Sequence, residues 1–411
     1  MSVGEVDLLV AIPSFNNANT IGQTVQVIEE SYQQNFIRDR VVILNVDGGS
    51  TDHTMDVVAS VDGRKAIGRR GLTSLRTVHR VTAQYAKSPS PGMALRTVLA
   101  TADLLHARSC AIISPTTVSV DTSWIANLLR PAYRQDFDFV APLYARNKYQ
   151  GLLARLLLYP MSRAIFGKRV RELYCEEWSF SGRLAMQCLG QDVWNDDAVR
   201  ARPEAWMGIN AICSDLKCCQ SFLGPKVLSP VATTQDIVEA VRQTVGNLFW
   251  CLENYESQWL NRSGSEPVPT FGPEHEFTED GRVSNQEKIF ELFRTGVTEL
   301  DSVLASILAP DTYAQIKEIS THAPDKFRFD SELWVKTAYE FAASYHRPGV
   351  LTRGHVVQAL VPLYRGRMYS FLVEHAESSA DEVEADSEAL CVEFERQKPY
   401  LVQMWKGETQ R

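Results

Sequence analysis

The chain has 411 residues, 45% of them hydrophobic and 22% charged, with a formal net charge of −8. That length predicts two or three folding units with ample material for a core. The acidic balance argues against a general nucleic-acid binder. No run approaches the ~20 apolar residues of a membrane span, because Arg155 interrupts the best stretch, Gly151 to Met161. The apolar stretch Leu8 to Ile12 follows Glu5 and Asp7, so a secretory leader is not expected. Eight cysteines form no CxxC pair, which predicts reduced thiols and a cytoplasmic location.

Taken in order, short β-branched runs bounded by turn residues predict strands over 7–13, 40–47, 71–81, 110–114 and 137–143. Helical stretches lie between them over 20–33, 51–60 and 91–105. Strands alternating with helices imply a mostly parallel sheet covered on both faces. Beyond Thr233 the rhythm changes. Ile237, Val241, Val245, Leu248, Leu252, Tyr255 and Trp259 recur at three- and four-residue steps and define one helix face, with Thr234 as its expected N-cap. A loop rich in Pro, Gly and Glu spans 263–282, and further helices are expected over 289–307, 331–345 and 353–374. The stretch 374–388 holds seven acidic residues and no Lys or Arg, which reads as a solvated helix face or a mobile linker. Residues 1–232 carry 25 Lys and Arg against 21 Asp and Glu, whereas residues 233–411 carry 17 against 29. The cut is therefore expected at 232/233, between an α/β domain and a helical one.

Two turns carry the chemistry. The first strand ends in Pro13-Ser14-Phe15-Asn16, and the second in Asp47-Gly48-Gly49-Ser50-Thr51-Asp52. In open α/β sheets, ligands bind outside the carboxyl ends of the strands. Glycines there let a ligand approach the backbone, and Asp47 can accept a hydrogen bond from a base or ribose. Ser50 and Asp52 read equally well as N-cap residues of the next helix, and Asp52 is assigned that structural role.

On these two turns the chain resembles the GT-A-fold glycosyltransferases of the family 2-like type. Further similarity lies in Lys148-Tyr149-Gln150-Gly151, Gly167-Lys168-Arg169-Val170-Arg171, Met207-Gly208-Ile209-Asn210 and Leu223-Gly224-Pro225-Lys226. These segments look like those of bacterial relatives of mannosylglycerate synthase and glucosyl-3-phosphoglycerate synthase. The resemblance implies a GT-A (Rossmann-like) N-terminal domain at 1–232 followed by an all-helical domain at 233–411. It also implies a nucleotide-diphosphate sugar as donor, a small hydroxylated acceptor of the glycerate-like kind, and Asp47 at the nucleobase.

Several family features are missing. The Asp-x-Asp that holds Mg²⁺ or Mn²⁺ in relatives reads Ser114-Pro115-Thr116 here, and hydroxyls are poor ligands for a hard cation. The Gly-Gly-Asp reads Glu177-Trp178-Ser179, the Gly-Ile-Asp reads Gly208-Ile209-Asn210, and the Lys-x-His reads Lys226-Val227-Leu228. No metal site is therefore expected, and scattered His346 and His355 lack ligand spacing. The donor is expected on Pro13, Ser14, Asn16, Asp47, Ser114, Thr116 and Lys226. Lys148, Lys168, Arg169 and Arg171, and also Arg146, are candidates for the diphosphate or acceptor. Glu177, close in sequence to a missing acid, and Asn210, which stands in place of one, are the candidate catalytic residues, and Glu176, Asp196 and Asp197 are alternatives. An inverting transfer needs one such base, whereas a retaining transfer can use the leaving phosphate. The third option is a catalytically silent relative that acts as a sensor, scaffold or subunit. Neither a nucleic-acid partner nor a membrane span is expected, and no pattern specifies an oligomer.

Overall fold

A computed structural model describes residues 5–61, 79–84, 90–229, 236–274 and 285–407. The chain divides into two compact units: residues 1–145, 170–234 and 268–276 form one, and residues 146–169, 235–267 and 277–411 form the other. The shift in charge and rhythm along the chain implies a single cut after residue 232. The division is instead discontinuous, because the helix over 159–166 packs its buried face on a long helix at the far end of the chain.

The first unit is built on an eight-stranded sheet. Its strands are β1 (Leu8–Ser14), β2 (Val41–Asp47), β3 (His79–Gln84), β4 (Ser109–Ile112), β5 (Phe139–Ala145), β7 (Trp178–Ser181), β8 (Cys218–Pro225) and β10 (Thr270–Phe271). They lie in the order β10-β8-β5-β7-β4-β1-β2-β3. Every pairing is parallel except those of β7, which runs antiparallel to both β4 and β5. β1, β2 and β4 are buried along nearly their whole length, as strands covered on both faces require. Helices α1 (Ile21–Asn35), α2 (Thr54–Ser60), α3 (Pro91–Leu104) and α4 (Thr122–Arg134) connect them. The α/β class and the mostly parallel sheet expected from the sequence are what the chain adopts. The expected strand over 71–81 lies outside the described residues up to 78, and β3 begins at His79. β7 and β8 were not anticipated. β7 is only four residues long, and β8, Cys-Cys-Gln-Ser-Phe-Leu-Gly-Pro, does not alternate apolar with polar residues.

Among its described residues the second unit is helical, with a two-residue parallel pairing of β6 (Lys168–Arg169) with β9 (Glu266–Pro267) as its regular strand structure. Its helices include α5 (Tyr159–Phe166), α9 (Ile237–Asn254), α13 (Pro310–Ser320), α14 (Ser331–His346), α15 (Arg353–Glu374) and α16 (Ala380–Lys406). Asp236 caps α9 through its bond from the Val238 amide, whereas the expected cap Thr234 lies outside the described residues. The acidic stretch 374–388 is not a linker. Ser379 and Glu382 form a capping box that starts α16. Glu388 then grips Arg163 at 2.6 and 2.8 Å, and Glu395 adds a bond at 2.8 Å. Arg163 is 1% exposed, and a guanidinium that deep needs carboxylates beside it, which is why these acids are ordered. No helix of the described residues is long and apolar enough to cross a membrane.

Candidate functional site

Because β1, β2, β4, β5 and β8 are parallel, their carboxyl ends share one edge of the sheet. β7 runs the other way, so the residues that precede it, Glu176 and Glu177, arrive at that same edge. Five loop segments from distant parts of the chain thus lie at that edge: 14–20 with 48–54, 114–119 with 226–229, and 175–177.

The first two turns are knitted together. The Ser14 hydroxyl donates to Asn45 Oδ1 at 2.7 Å and to Asp47 Oδ2 at 3.2 Å. The Gly49 and Ser50 amides donate to Asp47 Oδ1, each at 2.8 Å, and the Ser50 hydroxyl donates to Oδ2 at 2.6 Å. Asn16, at φ 55°, receives the Thr51 amide at 2.9 Å and donates its own amide to Ser50 Oγ. Asp52 accepts from the Ala18 amide at 2.9 Å and from Thr54, and those bonds hold its carboxyl below the usual range. Asp52 therefore ties turn to turn, while His53 occupies the N-cap of α2. Asp47 itself is fully buried, with both oxygens engaged by its own turn and Ser14. Its expected contact with a base is replaced here by a structural role. Phe15, half exposed, is the open surface on this turn, and Pro13 is part of β1 opposite Val46.

The second constellation follows β4 and β8. Ser114 and Thr116 share a hydrogen bond of 2.8 Å, and Thr116 approaches Glu176 Oε2 at 3.5 Å. The Val118 amide donates to the Val227 carbonyl, and the Ser229 amide to the Thr116 carbonyl, so the two loops form a small bridge. Lys226 Nζ lies between the two acids, 3.2 Å from Glu176 Oε2 and 2.9 Å from Glu177 Oε2, above the ring of Tyr144. Glu177 also accepts from the Thr117 hydroxyl and the Tyr144 hydroxyl, each at 2.5 Å. Burial and the Glu177 charge push the Tyr144 hydroxyl well above its ordinary value, so it stays a donor. Burial opposes ionisation of Glu176, but the Lys226 ammonium outweighs it and holds the carboxyl below the usual range.

These distances divide the expected roles. Glu177 is fully buried and its side chain holds three donors, so it anchors Lys226 and does not face a substrate. Glu176, with a side chain 42% exposed, is the acid at the surface. Lys226 is not an open cation but the centre of an ion triad. Asn210 is buried on α8 (Pro203–Cys213), where it accepts from Gln191 and donates to Cys188, so its expected catalytic role has no support in its surroundings. Asp197 is 99% exposed beside Arg200, and Asp196 is the N-cap of α7 (Asp197–Ala201).

Lys148, Lys168 and Arg169 have local structural tasks. Within the helical unit, Lys148 donates to the carbonyls of His375, Ala376 and Ser378 just past α15. Lys168 pairs with Glu266 at 2.7 Å, and Arg169 donates to Ser265 at 3.0 Å. In the sheet unit, the Arg171 amide is held by Gln220 Oε1 at 2.7 Å. Sequence reading missed Thr117, Tyr144, Arg202 and Glu204. Only the last pair leaves a trace, as charges flanking Pro203 at the start of an otherwise apolar helix. Burial pushes the Glu204 carboxyl up to about 7, against the pull of Arg202 3.5 Å away.

Among the described residues, no group of three or more His, Cys, Asp or Glu could hold a metal ion. A cavity of about 510 Å³ in the sheet unit, lined by Arg108, Tyr133 and Arg183, lies at the opposite edge of the sheet. The helical unit has its own cavity of about 340 Å³ beside Lys148, Arg155 and Glu384.

No family model and no curated protein matches the chain. Among solved structures it is similar to glucosyl-3-phosphoglycerate synthase from Mycobacterium tuberculosis. Against the complex of that protein with Mn²⁺, uridine diphosphate and glucosyl-3-phosphoglycerate, identity is 16%, 61% of this chain and 80% of that chain are covered, and the TM-score is 0.43. Against its complex with Mn²⁺ and UDP-glucose, identity is 15%, coverage is 61% and 79%, and the TM-score is 0.44.

Proposed function

We propose that this protein binds a nucleotide-diphosphate sugar at the carboxyl edge of its sheet and transfers the sugar to a small hydroxylated acceptor of glycerate type, with weak or no dependence on a divalent ion. The observation that carries this reading is the meeting of Ser114, Thr116, Glu176 and Lys226 on loops that follow β4, precede β7 and follow β8. Those loops join the turn after β1 at the edge where open α/β sheets take their ligands. The sequence resemblance at both donor turns points the same way.

Phe15 offers a face on which a base can stack. A diphosphate oxygen competes with Glu176, the exposed partner, for Lys226, while Glu177 keeps the ammonium in place. Fixed ammonium and hydroxyl donors then receive the charge that develops as the anomeric carbon–oxygen bond breaks toward the diphosphate. The acceptor oxygen forms the new bond. Its proton goes to the released Glu176 or to the leaving diphosphate, and the anomeric configuration of the product tells which.

Thermal unfolding with UDP-glucose and with GDP-mannose, each with Mg²⁺, Mn²⁺ or chelator, tests the reading. One donor is expected to raise the midpoint, by an amount equivalent to about 2.7 kcal/mol at a hundredfold excess over Kd, with or without metal. Indifference to both donors under all three conditions removes it. A second reading, a silent donor sensor, draws on the complete burial of Asp47 and the closed Glu176–Lys226–Glu177 triad. Binding without transfer to glycerate or phosphoglycerate would select it.

A further inference from the structure

The helical unit carries a serine, a histidine and an aspartate in hydrogen-bonded series, and nothing in the donor scheme uses them. α15 ends at Glu374, and the chain passes through 375–379 before α16 begins. The Ser378 hydroxyl lies 3.1 Å from His375 Nδ1, and Asp386 Oδ2 on α16 lies 3.1 Å from His375 Nε2. A carboxylate that accepts from Nε2–H leaves Nδ1 as the acceptor for the hydroxyl proton. One imidazole thus joins a nucleophile to an acid, as in acyl-transfer sites, with the two ring nitrogens exchanged in role relative to the serine proteases. The surroundings fix that geometry. His375 is 8% exposed, and its ring lies 4.6 Å from that of Phe371, one turn back on α15. Lys148 Nζ donates to the carbonyls of His375, Ala376 and Ser378 at 2.8, 2.9 and 3.1 Å, which clamps the backbone that carries the pair.

Ser378 lines the cavity of about 340 Å³ in this unit. Arg146, Lys148 and Arg155 outnumber Glu377 and Glu384 along its wall, so it favours a ligand with one negative group. The two guanidinium groups are set in place. Ser387 Oγ holds Arg155 at 2.8 Å, and Gly151, at φ +66°, leaves room for Arg146, whose guanidinium a Cβ there would approach to 2.5 Å. The first amides of α16, adjacent to Ser378 in sequence, have no intrahelical carbonyl and suit the oxyanion of an attacked acyl group.

We propose that Ser378 and His375, with Asp386 as a positioning residue, form a second active site that hydrolyses a short acyl ester bearing one anionic group. Ser378 Oγ bonds to the acyl carbon as its proton passes to His375 Nδ1. The carbon–oxygen bond to the alcohol then breaks, and the leaving oxygen takes that proton. Water next adds to the acyl carbon and gives a proton to Nδ1; the bond to Ser378 Oγ breaks as the serine recovers it. Asp386 stays ionised throughout and keeps the imidazole in one tautomer. All these groups belong to the helical unit, so the second activity does not depend on the donor reading.

The full chain is mixed with mono-(4-nitrophenyl) glutarate, an anionic aryl ester, and 4-nitrophenolate release is followed by absorbance. The wild type is expected to release roughly one equivalent in a burst, followed by slower turnover. A fluorophosphonate should add to the unaltered chain at Ser378, located by peptide mass, so a folding defect in a variant does not decide the outcome. Ser378→Ala should lose that adduct and lower kcat on the order of a thousandfold. Asp386→Asn should lower kcat by about a hundredfold or more with KM nearly unchanged, a split that lost packing alone would not produce. Arg155→Met should erase the preference for the glutarate ester over 4-nitrophenyl butyrate. A wild type that shows neither burst nor adduct at Ser378 overturns the proposal, and so does wild-type turnover in Ser378→Ala.

Discussion

Asp47 and Lys226 show how far a residue type constrains its task. Asp47 reads as a ligand contact in any list of turn residues, yet four hydrogen bonds to its side chain make it the keystone of its own turn. Nothing in a run of Asp-Gly-Gly-Ser distinguishes an aspartate that faces a ligand from one that faces Ser14 across the sheet. Gly49 is legible for the opposite reason. It sits at φ +92° with open space around it, so Gly49→Ala is expected to lower stability through the backbone alone, by about 1 kcal/mol in denaturant unfolding. Lys226 was singled out as a cation, but its two acid partners come from residues fifty positions away. Lys226→Met should cost ~3–5 kcal/mol, because it leaves Glu177 buried and uncompensated. The double variant Lys226→Met/Glu177→Gln should recover most of that loss. A double-mutant cycle with no coupling energy would mean that the triad does not form.

Elements were more legible than contacts. The apolar periodicity that starts at Ile237 and the turn signals around β1, β2 and β4 follow from local spacing. The strands are where the pattern puts them, whereas the helix breaks at Tyr255 and a short one over Glu256–Trp259 follows. β7 escaped notice because four residues, Trp178 to Ser181, carry too little pattern to reveal a strand that is held by its two neighbours. The acidic stretch 374–388, whose greater part is the start of α16, left a solvated helix face and a linker open for a related reason. Its charges look solvated until Arg163, more than two hundred positions earlier, is found against Glu388. At this scale Ser379→Ala should cost about 1 kcal/mol through loss of the capping box, measured by denaturant unfolding. Glu340 on α14 caps the start of α13, with bonds from the Ala309 amide and Thr312 and a third from Tyr400 on α16. Its replacement by Ala should cost more than the Ser379 change, since three donors lose their acceptor in a buried place.

For the whole molecule, two buried ionisable groups should shape stability against pH. Burial raises Glu204 to about 7 in the folded chain from an ordinary value near 4.5. Across that window the folded state binds more protons than the unfolded one, so stability falls as pH rises through it. The full cost, on the order of 3 kcal/mol, is reached above pH 7. Burial lowers Lys398 to about 8 from 10.5, with Arg262 adding to the effect. Here the unfolded state binds more protons between the two values, so the penalty is complete below 8 and is relieved as pH rises through the window. Denaturant midpoints are expected to fall through the first window and rise through the second. Glu204→Gln should flatten the first and Lys398→Met the second, and retention of either slope in its variant would refute that assignment.

The α/β class, the helical second half and the two turns after β1 and β2 were legible in the residues alone. Each of these is written in local spacing or in the identity of a single residue. Only the tertiary structure decided that Asp47 faces inward, that Glu176 and not Glu177 meets solvent, that residues 146–169 group with the helices, and that Lys226 is held by both acids. The reason is that burial and electrostatic partnership depend on the direction of a strand and on neighbours distant in sequence. The reversed direction of β7 brings Glu176 and Glu177 to the edge that β8 leaves at Lys226, and no local pattern encodes that meeting.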